Sequence, residues 1–198
     1  MRNPKILVLP GSNRSGSHNA RLAGTVAAEL ARHDCAVTRI TLKDYPLPIY
    51  DADLERDKGV PENAGRLARL FHEHDGIVLV SPEYNTSLTP LMKNTLDWIS
   101  VTSSDSRGKL SPYKGKVFAL ASASPGKYGG IRALNHLRAV LVNMGSLILT
   151  EQVAVSNAET AFDENDRLID KRTQSLLEDM TKALVETCSL LARRRDGE

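Results

Sequence analysis

Short apolar runs that alternate with amphipathic stretches constrain the fold of this chain more than any other feature. Apart from Lys5 and Ser122, the runs Lys5–Pro10, 77–80 and Val117–Ala123 are apolar at successive positions, as expected for strands that are covered on both faces of a parallel sheet. A weaker strand is predicted over residues 36–42 and a last strand over residues 147–155, where Glu151 is a point at which it could break. The pattern therefore favours a sheet with a buried centre.

Between these strands, apolar residues recur at helical spacing. Helices are predicted over residues 17–32, from Pro61 to Phe71, from about Leu88 to Ile99 and over Ile131–Asn143, and a final helix is expected after the acids at 163–166, which would favour its N-terminal dipole. Residues 43–59 and 102–116 are predicted to be irregular. Five strands that alternate with five helices predict an α/β fold, a doubly wound parallel sheet with helices on both faces. A length of 198 residues fits a single domain, residues 1–198.

Composition excludes several classes of protein. A formal net charge of +2 argues against a nucleic-acid or membrane-surface binder, because the basic residues of such proteins cluster, and the dense run Arg193–Arg195 is expected to be a solvated tail. No apolar run approaches the roughly 20 residues of a membrane span, and the N-terminus is not typical of a signal peptide. Two distant cysteines fit a reducing cytoplasm better than a disulfide scaffold.

The loop after the first strand, residues 10–19, has the composition of a phosphate site. It leads into a helix N-terminus, where free N–H groups and the dipole favour an anion, and Arg14 adds a fork that matches two phosphate oxygens. A P-loop is excluded because Ser17-His18 stands where Lys-Ser/Thr is needed, and a Rossmann GxGxxG is excluded because the loop reads Gly-Ser-Asn. The alternative is a capped helix start with a flexible loop. The remaining neutral donors are Ser12, Ser15, Ser17 and Asn19.

Two further loops follow the third and fourth predicted strands. The first pairs the aromatic ring of Tyr84 with the amide of Asn85, and the second is glycine-rich and carries Ser122 and Ser124. In a sheet of order 2-1-3-4-5 the carboxyl ends of strands one, three and four would meet, and ligands bind at such edges. Phosphate donors, an aromatic-amide turn and a glycine-rich wall together fit a phosphorylated flat ring such as FMN. The alternative for the turn is a connection in which Pro, Asn and Ser only shape the backbone.

At these loops the chain resembles the NADPH-dependent FMN reductases of the flavodoxin-like superfamily, which include flavin, quinone, chromate and azo-dye reductases. The resemblance covers nearly the whole chain and implies a five-stranded sheet of order 2-1-3-4-5 in a three-layer α/β/α sandwich. The matching motifs are Gly11-Ser12-x-Arg14-x-x-Ser17-x-Asn19, Pro82-Glu83-Tyr84-Asn85-x-Ser87 with Lys93-Asn94-x-x-Asp97-Trp98, and Ser122-x-Ser124-x-Gly126-x-x-Gly129-Gly130.

The resemblance also implies the site and the chemistry. FMN would take hydride from NADPH or NADH and pass electrons to a small acceptor (a flavin, quinone, chromate or azo compound), with no catalytic residue of the protein and no metal. A cytoplasmic homodimer or homotetramer is expected. The residues implied in FMN binding are Ser12, Arg14, Ser17 and Asn19 at the phosphate, Pro82, Glu83, Tyr84, Asn85 and Ser87 along the ring, and Ser122, Ser124 and Gly126 on its far side.

Other interpretations of the sequence remain. A flavodoxin-type electron carrier is disfavoured because such carriers tend to be strongly acidic, and a flavin-binding regulatory protein without turnover is a third alternative. Asp97 is expected to be a helix-surface residue, and His72-Glu73-His74 a solvated helix end rather than a metal site. The acceptor is expected to be selected by residues 43–59 and 102–116. Arg107 and Lys109 are the candidates for contact with the 2′-phosphate of NADPH.

Overall fold

A computed structural model describes residues 2–196 of the chain, and it describes side chains only as far as Ala192. The side chains of the predicted solvated tail, Arg193–Arg195, therefore lie outside the described residues. The strands are β1 (Lys5–Pro10), β2 (Ala36–Arg39), β3 (Gly76–Val80), β4 (Glu83–Tyr84), β5 (Ser87–Leu88), β6 (Ser104–Asp105), β7 (Gly108–Lys109), β8 (Val117–Ala123) and β9 (Leu147–Val155). The helices are α1 (His18–Leu30), α2 (Ala52–Lys58), α3 (Glu62–Glu73), α4 (Pro90–Val101), α5 (Ile131–Asn143) and α6 (Lys171–Asp196), with a short 3-10 helix at Leu42–Asp44.

Five of these strands form one parallel sheet in the order β2-β1-β3-β8-β9. Since β4 to β7 pair only as two small hairpins, this order is the 2-1-3-4-5 order implied by the resemblance, and the predicted flavodoxin-like α/β fold is confirmed. Side chains alternate along β1, so that Ile6 and Val8 pack with α1 and α6 while Leu7 and Leu9 pack with α3, α4 and α5. Each face of the sheet thus has its own apolar core.

The structure corrects several predicted elements. The segment 43–59, predicted to be irregular, contains α2, whose N-cap Asp51 accepts hydrogen bonds from the N–H groups of Asp53 and Leu54. The second strand ends at Arg39 rather than near residue 42. The helix predicted near Leu88 begins at Pro90, because residues 83–88 form the hairpin β4–β5.

The last strand and the last helix also differ in detail from the prediction. Pairing of β9 with β8 shifts between Phe118 and Leu120, which places the irregularity at residues 149–151, where a break at Glu151 was predicted. The acids at 163–166 do not begin the last helix. Asp163 accepts from the N–H groups of residues 165 and 167 in a turn. Asp170 caps α6 instead, accepting hydrogen bonds from the N–H and the hydroxyl of Thr173, and these bonds lower the pKa of Asp170.

Candidate functional site

Hydrogen bonds join the loops that follow β1, β3 and β8 at the carboxyl end of the sheet. The Asn19 amide donates to the carbonyl of Ala123 (2.7 Å) and accepts from its N–H (2.9 Å). The Thr89 hydroxyl, which caps α4, donates to the carbonyl of Gly11 (2.8 Å). A Cβ on Gly11 would lie 2.8 Å from Met92 Cε, so glycine permits this close approach. The three loops singled out in the sequence therefore lie together.

The loop after β1 presents polar groups outward at the start of α1. Ser17 is the N-cap, and its hydroxyl accepts a hydrogen bond from the N–H of Ala20 (3.4 Å). Gly16 has a φ of +66°, and its carbonyl accepts from Arg14 Nη2 (3.1 Å). The Ser12 hydroxyl accepts from the N–H of Arg14 (3.4 Å). Apart from the N–H of Ala20, which Ser17 caps, the N–H groups in the first turn of α1 have no partner within the helix, and together with these side chains they suit a phosphate.

Asn19 has a different place from the other residues predicted in this loop. It is buried, and the oxygen and one N–H of its amide are used by the backbone of Ala123. We therefore assign Asn19 to holding α1 against the end of β8, so that its contribution to an anion would come through its backbone N–H.

Cationic side chains that the sequence analysis did not single out line a cavity of about 620 Å³ beside this loop. Arg39 and Lys43 come from the end of β2 and the segment after it, which lies next to β1 in the sheet. Arg21 of α1 also lines the cavity and pairs with Asp166. No local sequence signal links Arg39 to a loop 25 residues earlier; the order of the strands brings them together.

The predicted aromatic turn is a tight hairpin. β4 and β5 pair through Glu83 with Leu88 and Tyr84 with Ser87. The two residues between them, Asn85 and Thr86, have φ angles of +48° and +66°, the pattern of a type I′ turn. Tyr84 is about half exposed, at 52%. The hairpin thus presents an aromatic ring and the Asn85 amide at the carboxyl end of the sheet.

The base of this hairpin is fixed to α5. The buried carboxylate of Glu83 pairs with the Arg132 guanidinium and accepts from the N–H groups of Arg132 (3.2 Å) and Ala133 (3.4 Å). The hydroxyl of Ser87 hydrogen bonds to Nδ1 of His136 (3.0 Å). Glu83 and Ser87 therefore brace the hairpin. Arg132 and His136 are site neighbours that sequence analysis missed, because nothing in an amphipathic helix marks which polar residue meets a distant loop.

The glycine-rich loop after β8 closes the other side. Ser122 is fully buried, and its hydroxyl has no hydrogen-bond partner among residues 2–196. A Cβ on Gly130 (φ +88°) would overlap this hydroxyl and would come within 3.7 Å of Glu83 Cβ, so glycine is required for this loop to reach the hairpin. The Ser124 hydroxyl accepts from the N–H of Gly126 (3.2 Å).

Exposed Tyr128, within this loop, lies between two cations. Lys127 Nζ is 5.1 Å and Arg132 Cζ 5.2 Å from its ring centroid.

The Lys93-Asn94-x-x-Asp97-Trp98 motif fastens the segment after β2 to α4. Asn94 Nδ2 and Trp98 Nε1 both donate to the carbonyl of Pro48, at 2.9 and 2.8 Å. The ring of Tyr50 packs edge-on against Trp98 at 5.0 Å. Asp97 pairs with Lys93 on the helix surface at 2.8 Å, as expected. Asn94 and Trp98 thus fix the segment after β2 against α4.

The 102–116 segment lies at the other end of the sheet, away from the three joined loops of the same chain. Hairpin β6–β7 packs against the end of α3, where Arg69 holds Asp105 through two of its guanidinium nitrogens, Nε and Nη2. This pairing lowers the pKa of Asp105 to about 2. Arg107 lies 3.2 Å from Glu73, so it is not placed to contact a cofactor at the carboxyl end, and neither is Lys109 of the same hairpin.

The His72-Glu73-His74 segment is also at this end. His74 is buried rather than solvated, and its ring contacts the Leu70 carbonyl (2.7 Å) and the Thr38 hydroxyl (2.9 Å). Burial lowers its pKa. His72 accepts from the N–H of Ser111 (3.0 Å). Within the described residues no three His, Cys, Asp or Glu side chains are grouped to hold a metal. No helix over the same residues is both long and apolar enough to span a membrane.

Comparison with known proteins gives consistent matches. A model of the NADPH-dependent FMN reductase family matches residues 4–160. An NAD(P)H-dependent FMN reductase of Pseudomonas aeruginosa is 32% identical over 91% of this chain and 92% of its own length. A quinone reductase of Escherichia coli is 34% identical over 74% of each chain. The solved structure of FerB from Paracoccus denitrificans, a flavoenzyme NAD(P)H:(acceptor) oxidoreductase, matches with a TM-score of 0.75 and 28% identity over 94% of this chain and 97% of its own.

Proposed function

Because the chain belongs to the NADPH-dependent FMN reductase family, we propose that residues 1–198 form one FMN-binding domain with its site in the three joined loops. The protein is an FMN-dependent NAD(P)H oxidoreductase that acts on a small acceptor. The observation that carries the proposed location is the bridge from Asn19 to Ala123, with the Thr89 bond to Gly11, because these join phosphate donors, hairpin and glycine-rich wall at one edge.

The residues at this edge fit FMN. The Ser12 and Ser17 hydroxyls, the Arg14 guanidinium and the free N–H groups of α1 supply donors for a phosphate monoester, and no carboxylate pairs with Arg14 in the described structure. Toward the hairpin, the buried Ser122 hydroxyl lacks a protein partner. A ligand that carries a phosphate at one end and polar ring atoms at the other would use both features.

The protein's own groups bind and orient. Arg14, Ser12 and Ser17 would hold the phosphate, and the backbone of residues 82–85 with Tyr84 and Asn85 would border the ring. Glu83 and Ser87 hold that backbone in place through α5, and Ser122, Ser124 and Gly126 would form the far wall. Bound FMN supplies hydride and electron transfer, so that no protein nucleophile or acid–base pair is needed.

The acceptor belongs to the class of small oxidised molecules, with quinones, flavins, chromate and azo compounds as candidates. The quinone reductase and FMN reductase names of the relatives support this choice. The segment after β2, which Asn94 and Trp98 hold against α4, would help to select among them. We further propose a homodimer or homotetramer in the cytoplasm, which fits a chain of this length with only two cysteines, Cys35 and Cys188.

Flavin binding and turnover test this function together. The purified protein is expected to quench the fluorescence of added FMN on binding, and to oxidise NADPH or NADH in the presence of FMN and a quinone. Binding without steady-state turnover would indicate a flavodoxin-type carrier or a regulatory protein. A protein that neither binds FMN nor oxidises NAD(P)H would contradict the proposal. Gel filtration with light scattering would decide the oligomeric state.

A further inference from the structure

The cavity beside the loop after β1 extends away from the hairpin β4–β5. Its walls are the loop after β1, the first turns of α1, and Arg39, Thr41 and Lys43 at the end of the edge strand β2. The hairpin β4–β5 and the glycine-rich loop follow β3 and β8, on the other side of β1. A volume of about 620 Å³ is within the usual range for small-ligand sites. The cavity therefore offers space beyond the group held by the loop itself.

The charges that line this cavity are mostly positive. Arg14, Arg21, Arg39 and Lys43 face one carboxylate, that of Asp166. Arg21 holds Asp166 in an ion pair and also donates to the carbonyl of residue 163. In the described part of the chain, the side chains of Arg39 and Lys43 make no hydrogen bond or ion pair, and Lys43 contributes only its backbone N–H, to Thr41. The fold thus leaves their charge to an anionic ligand.

A glycine places the Arg39 guanidinium. A Cβ on Gly24 of α1 would lie 2.7 Å from Arg39 Nη1, so the side chain lies across α1 in a groove that exists because residue 24 has no side chain. The groove holds the guanidinium against the cavity without a carboxylate to neutralise it. Arg132 and Lys127 differ in this respect, because Arg132 is paired with Glu83 and Lys127 lies over the Tyr128 ring.

We propose that Arg39 and Lys43, beside the loop that carries Arg14, form a second phosphate subsite that takes a phosphate group other than that of FMN. The inference rests on the proposed function, since the first phosphate must occupy the loop. A guanidinium fork and an ammonium together suit the negatively charged oxygens of a phosphate group. Two nucleotides could supply it: the electron donor, through the 2′-phosphate of NADPH, or a flavin that carries an adenylate, as FAD does.

Strand order supports a ligand of this length. A flavin nucleotide with its ring at β3 and β8 and its first phosphate at β1 continues, beyond that phosphate, toward β2. Dinucleotides lie across parallel sheets in this way in other α/β proteins, and there an arginine near the loop accommodates the 2′-phosphate of NADP.

The test uses the full chain with Arg39→Ala, Lys43→Ala and the double substitution. Arg107→Ala, an arginine at the other end of the sheet, is the matched control. FMN and FAD affinities are measured by flavin fluorescence quenching, KM by steady-state assays with NADPH and NADH, and folding by circular dichroism. Each single variant should leave the Kd of FMN within about twofold, and should weaken either FAD or NADPH roughly tenfold.

The two arms identify the source of the phosphate. A rise in KM for NADPH but not for NADH assigns the subsite to the donor, whereas a loss of FAD affinity without loss of FMN affinity assigns it to a flavin dinucleotide. Equal losses for FMN and FAD with unchanged KM values would overturn the inference, because both residues would then hold the FMN phosphate. Unchanged binding of all four ligands would also overturn it. A wild-type protein that does not bind FMN would instead refute the proposed function and this subsite with it.

Discussion

The two ends of the central sheet carry similar cationic side chains in different electrostatic states. At the amino end, Arg69 holds Asp105 with two of its guanidinium nitrogens, and Arg107 lies 3.2 Å from Glu73. Lys116 donates to the carbonyls of His72 and His74 at the end of α3. Each of these cations is matched within the fold, so the 102–116 segment is held against the end of α3.

At the carboxyl end, three cations have no acidic partner in the described part of the chain and are available to bind a ligand. Arg14 donates to the carbonyl of Gly16, and Arg39 and Lys43 line the cavity without a partner in residues 2–196. The nearby carboxylates pair with other cations: Glu83 with Arg132, and Asp166 with Arg21. Composition alone does not separate a binding loop from a structural loop. What distinguishes the two kinds of loop is whether the fold places an acidic side chain next to the arginine of the loop.

The largest effect is expected from breaking the frame of the carboxyl end. Asn19→Ala should lower the free energy of unfolding by about 2–4 kcal/mol, because it leaves the N–H and the carbonyl of Ala123 buried without partners. Urea unfolding measures the loss. Asn13→Ala, an exposed asparagine of the same loop, is the control and should change stability little. Equal losses for the two variants would show that the bridge from α1 to β8 contributes nothing.

How much of this could be predicted depended on whether the signal was local. The bounds of β8, α5 and β9 were predicted correctly because long apolar runs and a clear helical period mark them. The helix α2 was missed because it has seven residues, none of them buried, and so no apolar stripe. Its one signal was Asp51 as a capping residue, with Gly59 at the other end.

The residues of the candidate site show the same difference between local and non-local signals. The phosphate loop, the aromatic turn and the glycine-rich wall were visible in the sequence because each is a contiguous motif. The cavity residues Arg39 and Lys43, and the brace from Glu83 to Arg132, join segments that only the strand order brings together. Arg107 was chosen for a phosphate role because charge is visible in a sequence, whereas its partner Glu73, 34 residues earlier, is not.

The second prediction sharpens the contrast between unpaired and paired arginines. Arg14→Ala should weaken FMN roughly 10- to 100-fold, since it removes a charge-assisted contact to phosphate, and it should leave riboflavin affinity unchanged because riboflavin has no phosphate. Arg107→Ala should change neither affinity. Fluorescence titration with both flavins measures these effects. An equal loss for FMN and riboflavin would remove Arg14 from the phosphate site.

The third prediction concerns the amino end and its dependence on pH. Arg69 lowers the pKa of Asp105 from 3.8 to about 2 in the folded protein. The carboxylate therefore contributes stability that is present above about pH 4 and is lost as the pH falls toward 2. Asp105→Asn should be less stable than wild type at neutral pH, and the difference should shrink over this range. FMN affinity at neutral pH should not change.

Urea unfolding at a series of pH values measures this difference. A gap between Asp105→Asn and wild type that stays constant from neutral pH down to pH 2 would show that the charge of Asp105 does not stabilise the fold. Added salt should narrow the gap at neutral pH, because the pair lies near the surface and is screened.

The smallest effect is expected from the hairpin tips, which differ between the two ends. At the amino end a glycine, Gly108, takes the positive φ of +119°, whereas at the carboxyl end Thr86 is held at +66°. A β-branched residue is strained there, and strain of this kind is concentrated at binding sites. Thr86→Gly should therefore raise the free energy of unfolding by about 0.5–1 kcal/mol, after the greater freedom of glycine in the unfolded chain offsets part of the relief. Gly108→Ala should lower the free energy of unfolding, since alanine does not favour that φ.

A Thr86→Gly variant that is less stable than wild type would contradict this prediction. The bond from the Thr86 hydroxyl to the Asn85 carbonyl (2.6 Å) would then outweigh the backbone strain, and the two hairpin tips would not differ in strain.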